Sequence, residues 1–199
     1  MFKYWPVNNH FENLWDWTTL VLKKTLIKNS NINSNYLDVG TGPFAVLAVY
    51  SEKKQLFKTI TAIDYIPEFI ENAKKQDSAD IAFKNSNLFD QVQSRYNVIT
   101  FNSPYIIKKK GEMLGNFNSN LAEKRWSGGL DGTETINRFL LQAYNHLEKN
   151  GVILLGINTF HLPDQICTEL INSTNYIIKN KYTNKFTKGL VYELIIKEK

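Results

Sequence analysis

The sequence is poor in the residues that build metal centres and covalent cross-links. It holds one cysteine, Cys167, and three histidines in 199 residues. An internal disulfide is therefore excluded, and no ligand spacing for a metal is present. Cys167 falls at an apolar position of the helical pattern DQICTEL and reads as a buried, inert thiol. No apolar run reaches the length that spans a bilayer. The N-terminal stretch MFKYWPVNNHF is aromatic and polar, unlike a signal peptide. The expectation is a cytoplasmic protein without membrane contact. Internal repeats and low-complexity linkers are also missing. Charge of one sign is scarce: 24 Lys and Arg against 19 Asp and Glu leave a net +5. That excess permits an acidic or nucleic-acid partner without demanding one.

What is present is a globular composition, 43% hydrophobic and 22% charged. It is enough for one domain, residues 1–199, with a sizeable core. His10 to Lys28 reads as a helix with Phe11, Leu14, Trp15, Thr18, Leu22, Thr25 and Leu26 on one face. NSNINSN breaks it, and YLDVG is a short strand beginning near Tyr36. PFAVLAVYSEKK is helical, TITAID is a strand, and PEFIENAKKQ opens a helix on Pro67. IAFK and NVITF are further strands. A polar stretch of roughly Ile107 to Gly132 follows, and segments this long inside a compact domain tend to be functional. TETINRFLLQAYNHLEKN is a helix closed by Gly151. VILLGIN is a strand buried on both faces, LPDQICTELINS is a helix, and YIIKNKYT with GLVYELIIKEK forms a final antiparallel pair. Strands alternating with helices predict an α/β doubly wound sheet. Ligands of such sheets bind beyond the carboxyl ends of the strands.

Two of those ends read as half of a nucleotide site. In DVGTGPF, Asp38 precedes a turn in which Gly40, Thr41 and Gly42 bring backbone close to a ligand. The next strand ends on Asp64, followed by Tyr65, and a carboxylate there accepts from both hydroxyls of a ribose. The alternative for Asp64 is a cap on the helix opening near Pro67. The third glycine of a dinucleotide loop is replaced by Pro43, Phe44 and Ala45, which closes the helix terminus a pyrophosphate needs. S-adenosylmethionine has no phosphate, and its cationic sulfonium suits an acid such as Asp38. Together, YLDVGTG, TAID and the terminal strand pair resemble the class I S-adenosylmethionine-dependent methyltransferases. The resemblance covers nearly the whole chain. It implies a Rossmann-like sheet, mostly parallel with an antiparallel C-terminal strand, in the order 3-2-1-4-5-7-6.

The fourth strand stops on Asn102, Ser103, Pro104 and Tyr105, similar to the N-P-P-Y motif of amino and amide methyltransferases. The lone pair of such a planar nitrogen is delocalised, so the enzyme must hold the NH2 in line with the methyl group. The Asn102 side-chain oxygen and the Ser103 carbonyl supply two acceptors for the two N–H bonds. Tyr105 supplies a flat ring, and Pro104 keeps Ser103 out of the α region. A turn after a strand is the plainer alternative. The segment KRWSGGLDGTETINRFL, Lys124 to Leu140, resembles the loop and helix that follow N-P-P-Y in the HemK-like protein glutamine methyltransferases. Trp126, Gly128, Gly129, Asp131 and Gly132 carry the match, closest to the short branch without an N-terminal helical domain. The family's D-L-F after the third strand stands here as Asn87, Leu88 and Phe89, which the resemblance places at the adenine.

Three departures are visible. Ser103 replaces a proline, Phe44 occupies a position that is usually small, and the family's Y-x-P-x-x-D-T is answered only by Tyr4-Trp5-Pro6 and Asp16-Trp17-Thr18. Residues 1–34 then form a helical and aromatic cover segment, with Trp5, Trp15 and Trp17 over the cofactor or beside the substrate, and residues 106–132 form an active-site loop. The resemblance implies a protein glutamine substrate, such as that of a translation release factor, and a small zinc-binding activator subunit. A nucleobase is the rival acceptor, because Lys108, Lys109 and Lys110 stand beside the site. A small-molecule amine is another. A catalytically silent methyltransferase fold serving as a binding protein is the reading from a different class.

Overall fold

The computed structural model describes residues 17–184 and 188–197. Seven strands form one sheet in the order β3-β2-β1-β4-β5-β7-β6. They are β1 Asn31–Val39, β2 Phe57–Asp64, β3 Ile81–Asn85, β4 Tyr96–Asn102, β5 Leu147–Asn158, β6 Tyr176–Thr183 and β7 Gly189–Ile196. The first five run parallel, and β7 pairs antiparallel with both β5 and β6. The helices are α1 Trp17–Asn29, α2 Val46–Lys53, α3 Pro67–Ala73, α4 Lys108–Met113, α5 Asn120–Trp126, α6 Glu134–Ala143 and α7 Asp164–Asn172. The strand order is the one the resemblance implied.

Two apolar clusters flank the sheet. One gathers Ile99, Phe101, Phe139, Leu155 and Tyr192 between the sheet and α6 and α7. The other gathers Leu22, Leu26, Tyr36, Ala48 and Leu154 beneath α1 and α2. In α1 the buried residues are Thr18, Val21, Leu22, Thr25 and Leu26, the stripe that the 3.6-residue period selects. Burying Leu22 and Leu26 completely contributes about 2 kcal/mol each. The expected start of this helix at His10, with Phe11, Leu14 and Trp15, lies outside the described residues, as do Tyr4, Trp5, Pro6 and Asp16. Cys167 is fully buried, and burial pushes its thiol up to about 12, so it is inert.

Three segments differ from expectation, each for a local reason. β1 starts at Asn31 instead of Tyr36, because its asparagines find partners that a loop would leave to water. Asn31 Oδ1 accepts from the Asn33 N–H, and Asn35 bridges Asn97 and Thr59 on the neighbouring strands. The expected helix through Asn150 stops at Ala143, and Gly151 lies inside β5 instead of closing the helix. Tyr96 pairs with Leu147 and Val98 with Val152, so the residues between bulge out of the ladder. Finally, the polar stretch after β4 contains two short helices. Ser119 caps α5 by accepting from the Ala122 N–H at 3.1 Å. Lys108 of α4 pairs with Glu123 of α5 at 3.0 Å.

Candidate active site

The strand register brings the sequence motifs together. Ile63, Val39 and Phe101 are aligned across β2, β1 and β4. Asp64, Gly40 and Asn102 therefore follow as neighbouring tips, and the outer two are two strand spacings apart, roughly 10 Å. The connections change direction between β1 and β4, which opens the crevice in which doubly wound sheets bind ligands.

The turn after β1 is held by side chains. Asp38 is 3% exposed, and its two oxygens accept from Thr41 Oγ1 and Thr100 Oγ1, both at 2.7 Å. The Tyr36 hydroxyl extends the chain to Thr100 at 2.7 Å. Burial outweighs these hydrogen bonds and raises the Asp38 carboxyl to about 6. Asp38 thus fixes the glycine turn from beneath. Gly42 has φ +70°, and a Cβ built there would meet nothing within 4 Å. The backbone at this point borders open space, as close approach to a ligand requires.

The Asp38 shift has a measurable consequence. Its folded-state value lies above the ordinary 3.8, so the folded protein binds this proton more tightly than the unfolded chain does. The associated stability is fully present below about pH 4 and is lost as pH rises through about 6. Asp38→Asn is expected to flatten urea-unfolding stability across that window relative to the parent. The difference between the two proteins should amount to about 3 kcal/mol between the extremes. Parallel pH profiles would contradict it.

Asp64 is 6% exposed. Its carboxylate accepts from the Gly42 N–H and the Ile66 N–H, each at 3.0 Å. The second bond closes a turn onto the N–H of Ile66, the residue that precedes α3; Asp64 is not the side-chain cap expected for that helix. Each oxygen keeps a further lone pair for a hydroxyl donor. Burial raises its carboxyl above the usual range, and the Arg125 guanidinium partly offsets this. Tyr65 is half-exposed, and its hydroxyl donates to the Lys124 carbonyl of α5 at 2.5 Å. α5 is thereby tied to the tip of β2. Asn87 is exposed, and its Oδ1 lies 3.4 Å from Arg138 Nη2. Leu88 is buried with φ +50°, and its carbonyl accepts from Ser86 Oγ. Phe44 is half-buried beside the turn, and Trp17 is half-exposed at the start of α1.

At the β4 tip, Asn102 Nδ2 donates to Thr19 Oγ1 of α1 at 3.2 Å. Asn102 Oδ1 is buried and has no hydrogen-bond partner among the described residues. A buried carboxamide oxygen left unsatisfied costs about 1–3 kcal/mol and points to a missing ligand donor. Ser103 is tied back to β5: its N–H and its hydroxyl both donate to the Gly156 carbonyl, at 3.2 and 3.0 Å. The extra hydroxyl in place of a proline therefore restores rigidity by a different route. Pro104 is half-buried. Tyr105 is 3% exposed, with the His161 ring 6.1 Å from its own.

The loop after α5 is stitched to the segment that follows Tyr105. Ile106 N–H donates to Trp126 O, Gly128 N–H to Ile106 O, and Lys108 N–H to Gly129 O, all at 2.9 Å. Close approach explains the glycine pair: a Cβ on Gly128 would lie 2.5 Å from Gly132 O, and Gly129 has φ +88°. Trp126 packs on the main core with Arg125 over its ring. Asp131 Oδ1 accepts from the N–H and hydroxyl of Thr133. Sequence reasoning missed Thr19, Thr100 and His161. Nothing local marks them, because each reaches the site from another element.

The sheet, in the order β3-β2-β1-β4-β5-β7-β6, is that of the class I methyltransferases, and its neighbouring tips carry the glycine turn held by Asp38, the Asp64 carboxylate, and Asn102 followed by Ser-Pro-Tyr. No family model matches the chain. The solved ribosomal protein L11 methylase of Lactobacillus delbrueckii subsp. bulgaricus shares the fold with a TM-score of 0.65 at 20% identity, over 92% of this chain and 79% of that one. A putative protein N5-glutamine methyltransferase of Methanocaldococcus jannaschii is 31% identical over 138 residues, 68% of this chain and 66% of the relative. A release factor glutamine methyltransferase of Streptococcus pneumoniae is 28% identical over 146 residues, 70% of this chain and 51% of the relative. The chain belongs to the HemK-like class I S-adenosylmethionine-dependent methyltransferases. The matched segments span about two thirds of the archaeal relative's length and about half of the pneumococcal one's. Among the described residues no helix is long and apolar enough to cross a membrane.

Proposed function

We propose that the protein methylates a planar amide or amine nitrogen, with a protein glutamine side chain as its acceptor. The unpartnered, buried Asn102 Oδ1 at the β4 tip carries this reading. S-adenosylmethionine, when bound, supplies an electrophilic methyl group. The residues present fit it: Gly42 leaves open backbone, Asp64 offers lone pairs to ribose hydroxyls, and Tyr65, Asn87 and Leu88 stand at the neighbouring tips. Asp38 holds the turn for the amino-acid end.

Asn102 Oδ1 and the Ser103 carbonyl accept the two N–H bonds of the acceptor. An amide oxygen is no base at neutral pH. Asn102 therefore does not remove the proton; it orients the NH2 and stabilises the positive charge that develops on nitrogen, whose surplus proton passes to solvent water once the new N–C bond has formed. Pro104 and the Ser103 hydroxyl keep the two acceptors from drifting apart. Tyr105 walls the site, and the Trp126–Gly129 segment shapes its rim. A protein glutamine is supported by the relatives named for that substrate and by the WSGG loop docked at Ile106. The lysine cluster gives little support to a nucleobase: Lys108 pairs with Glu123, and Lys110 donates to Phe160 O.

Incubation with methyl-labelled cofactor and a ribosomal extract, with and without nuclease, tests the proposal. Label is expected on protein, at a glutamine, and insensitive to nuclease. Label lost on nuclease treatment would assign a nucleic-acid acceptor. Cofactor binding without product on any acceptor class would mark a silent binding protein.

A further inference from the structure

We propose that Thr19 is a positioning residue that sets the carboxamide of Asn102 with its oxygen toward the acceptor nitrogen. The inference rests on the amide-methylating reading and deepens it. A carboxamide can turn over, exchanging its acceptor for its donor with little change of shape. Turned over, Asn102 would present an NH2 to the NH2 of the acceptor, and its hydrogen bond to the acceptor would be lost. Something on the far side must therefore select one orientation.

Thr19 Oγ1 is placed to do so, 3.2 Å from Asn102 Nδ2, while Oδ1 stays buried and unpartnered. In this geometry Thr19 Oγ1 accepts. A hydroxyl whose proton goes to a carbonyl one turn back, as Thr25 gives its own to Val21 O at 2.9 Å in the same helix, keeps only lone pairs for its partner and favours a donor opposite; for Thr19 that carbonyl lies outside the described residues. Thr19 is itself held in place. Its neighbour Thr18 is fully buried and donates to Ile157 O. Gly156 and Gly189 clear the space for this contact: a Cβ on Gly156 would lie 2.7 Å from Thr18 Cγ2, and one on Gly189 3.2 Å from Thr18 Cα. Gly156 is also the β5 residue paired with Asn102. One glycine thus sets the distance from α1 to the β4 tip.

The test compares Thr19→Val, which keeps the shape and loses the acceptor, with Thr19→Ser, which keeps the acceptor. Thr19→Val is expected to lower kcat about 10- to 100-fold, with unchanged affinity for S-adenosylhomocysteine by calorimetry. Thr19→Ser should restore most of kcat. A readout independent of turnover is the Asn102 side-chain amide in a 15N-labelled protein, assigned by its absence from Asn102→Ala. Its resonances should shift and gain mobility in Thr19→Val and stay near the parent in Thr19→Ser. Unaltered amide resonances in Thr19→Val overturn the proposal, as does a fall in cofactor affinity equal to the fall in kcat. If Thr19→Val does not fold, Thr19→Ala takes its place beside Thr19→Ser. Should the parent methylate no amide or amine while the amide responds as described, the reading of the reaction fails and the positioning role stands.

Discussion

Asn102→Ala is expected to lower kcat by about 10²–10³-fold, the range seen when a preorganised hydrogen-bonding group is removed from an active site. Affinity for S-adenosylhomocysteine should change by less than about threefold, because the lost contact is made to the acceptor and tightens during reaction. The thermal midpoint provides a second, less obvious signature. Among the described residues Asn102 Oδ1 has no partner, so truncation removes a buried acceptor unsatisfied there and, of the side-chain hydrogen bonds seen, that to Thr19. Folding stability should hold or rise. Most truncations at half-buried positions lower stability. Steady-state kinetics and differential scanning calorimetry on one preparation check both halves. Undiminished turnover would remove Asn102 from the reaction. A large fall in midpoint together with lost turnover would make its role structural.

Asp64→Ala is expected to weaken cofactor binding by about 10²–10⁴-fold, since two hydrogen bonds to a charged group contribute about 1.5–3 kcal/mol each. The effect has two parts. The carboxylate would no longer meet the ribose hydroxyls, and the Gly42 and Ile66 N–H groups would lose the acceptor that holds the glycine turn to the entry of α3. Asp64→Asn separates them: its carbonyl oxygen retains one backbone bond, so the thermal midpoint should recover further than the affinity does. Calorimetric titration with S-adenosylhomocysteine beside thermal unfolding decides the matter. Affinity within about threefold of the parent in Asp64→Ala would exclude the ribose role.

The two proposed contact sets are encoded locally. Asp38, Gly40, Gly42 and Asp64 lie in contiguous runs at strand ends, where an acid or a glycine after β-branched residues stands out. The same is true of Asn102 to Tyr105. The helices α4 and α5 were not legible, because their positions are polar and their stability comes from contacts made elsewhere: Tyr65 to Lys124, Lys108 to Glu123, and Gly128 to Ile106. Helices of six and seven residues have too little amphipathic pattern to announce themselves. The early start of β1 was hidden for the opposite reason. Its asparagines are turn formers in isolation, and only Asn97 and Thr59 across the sheet convert them to strand.

Sequence alone determined the alternation of the strands with the longer helices and the class of sheet, because these follow from hydrophobic period and from local chemistry at strand ends. Tertiary structure decided what those residues can do. It enclosed Asp38 among hydroxyls, gave Ser103 a carbonyl on β5 to replace a missing proline, and set Thr19 behind Asn102 across 83 positions of chain. Such pairings depend on register and on the clearance left by Gly156, which are properties of the packed sheet and of no segment by itself.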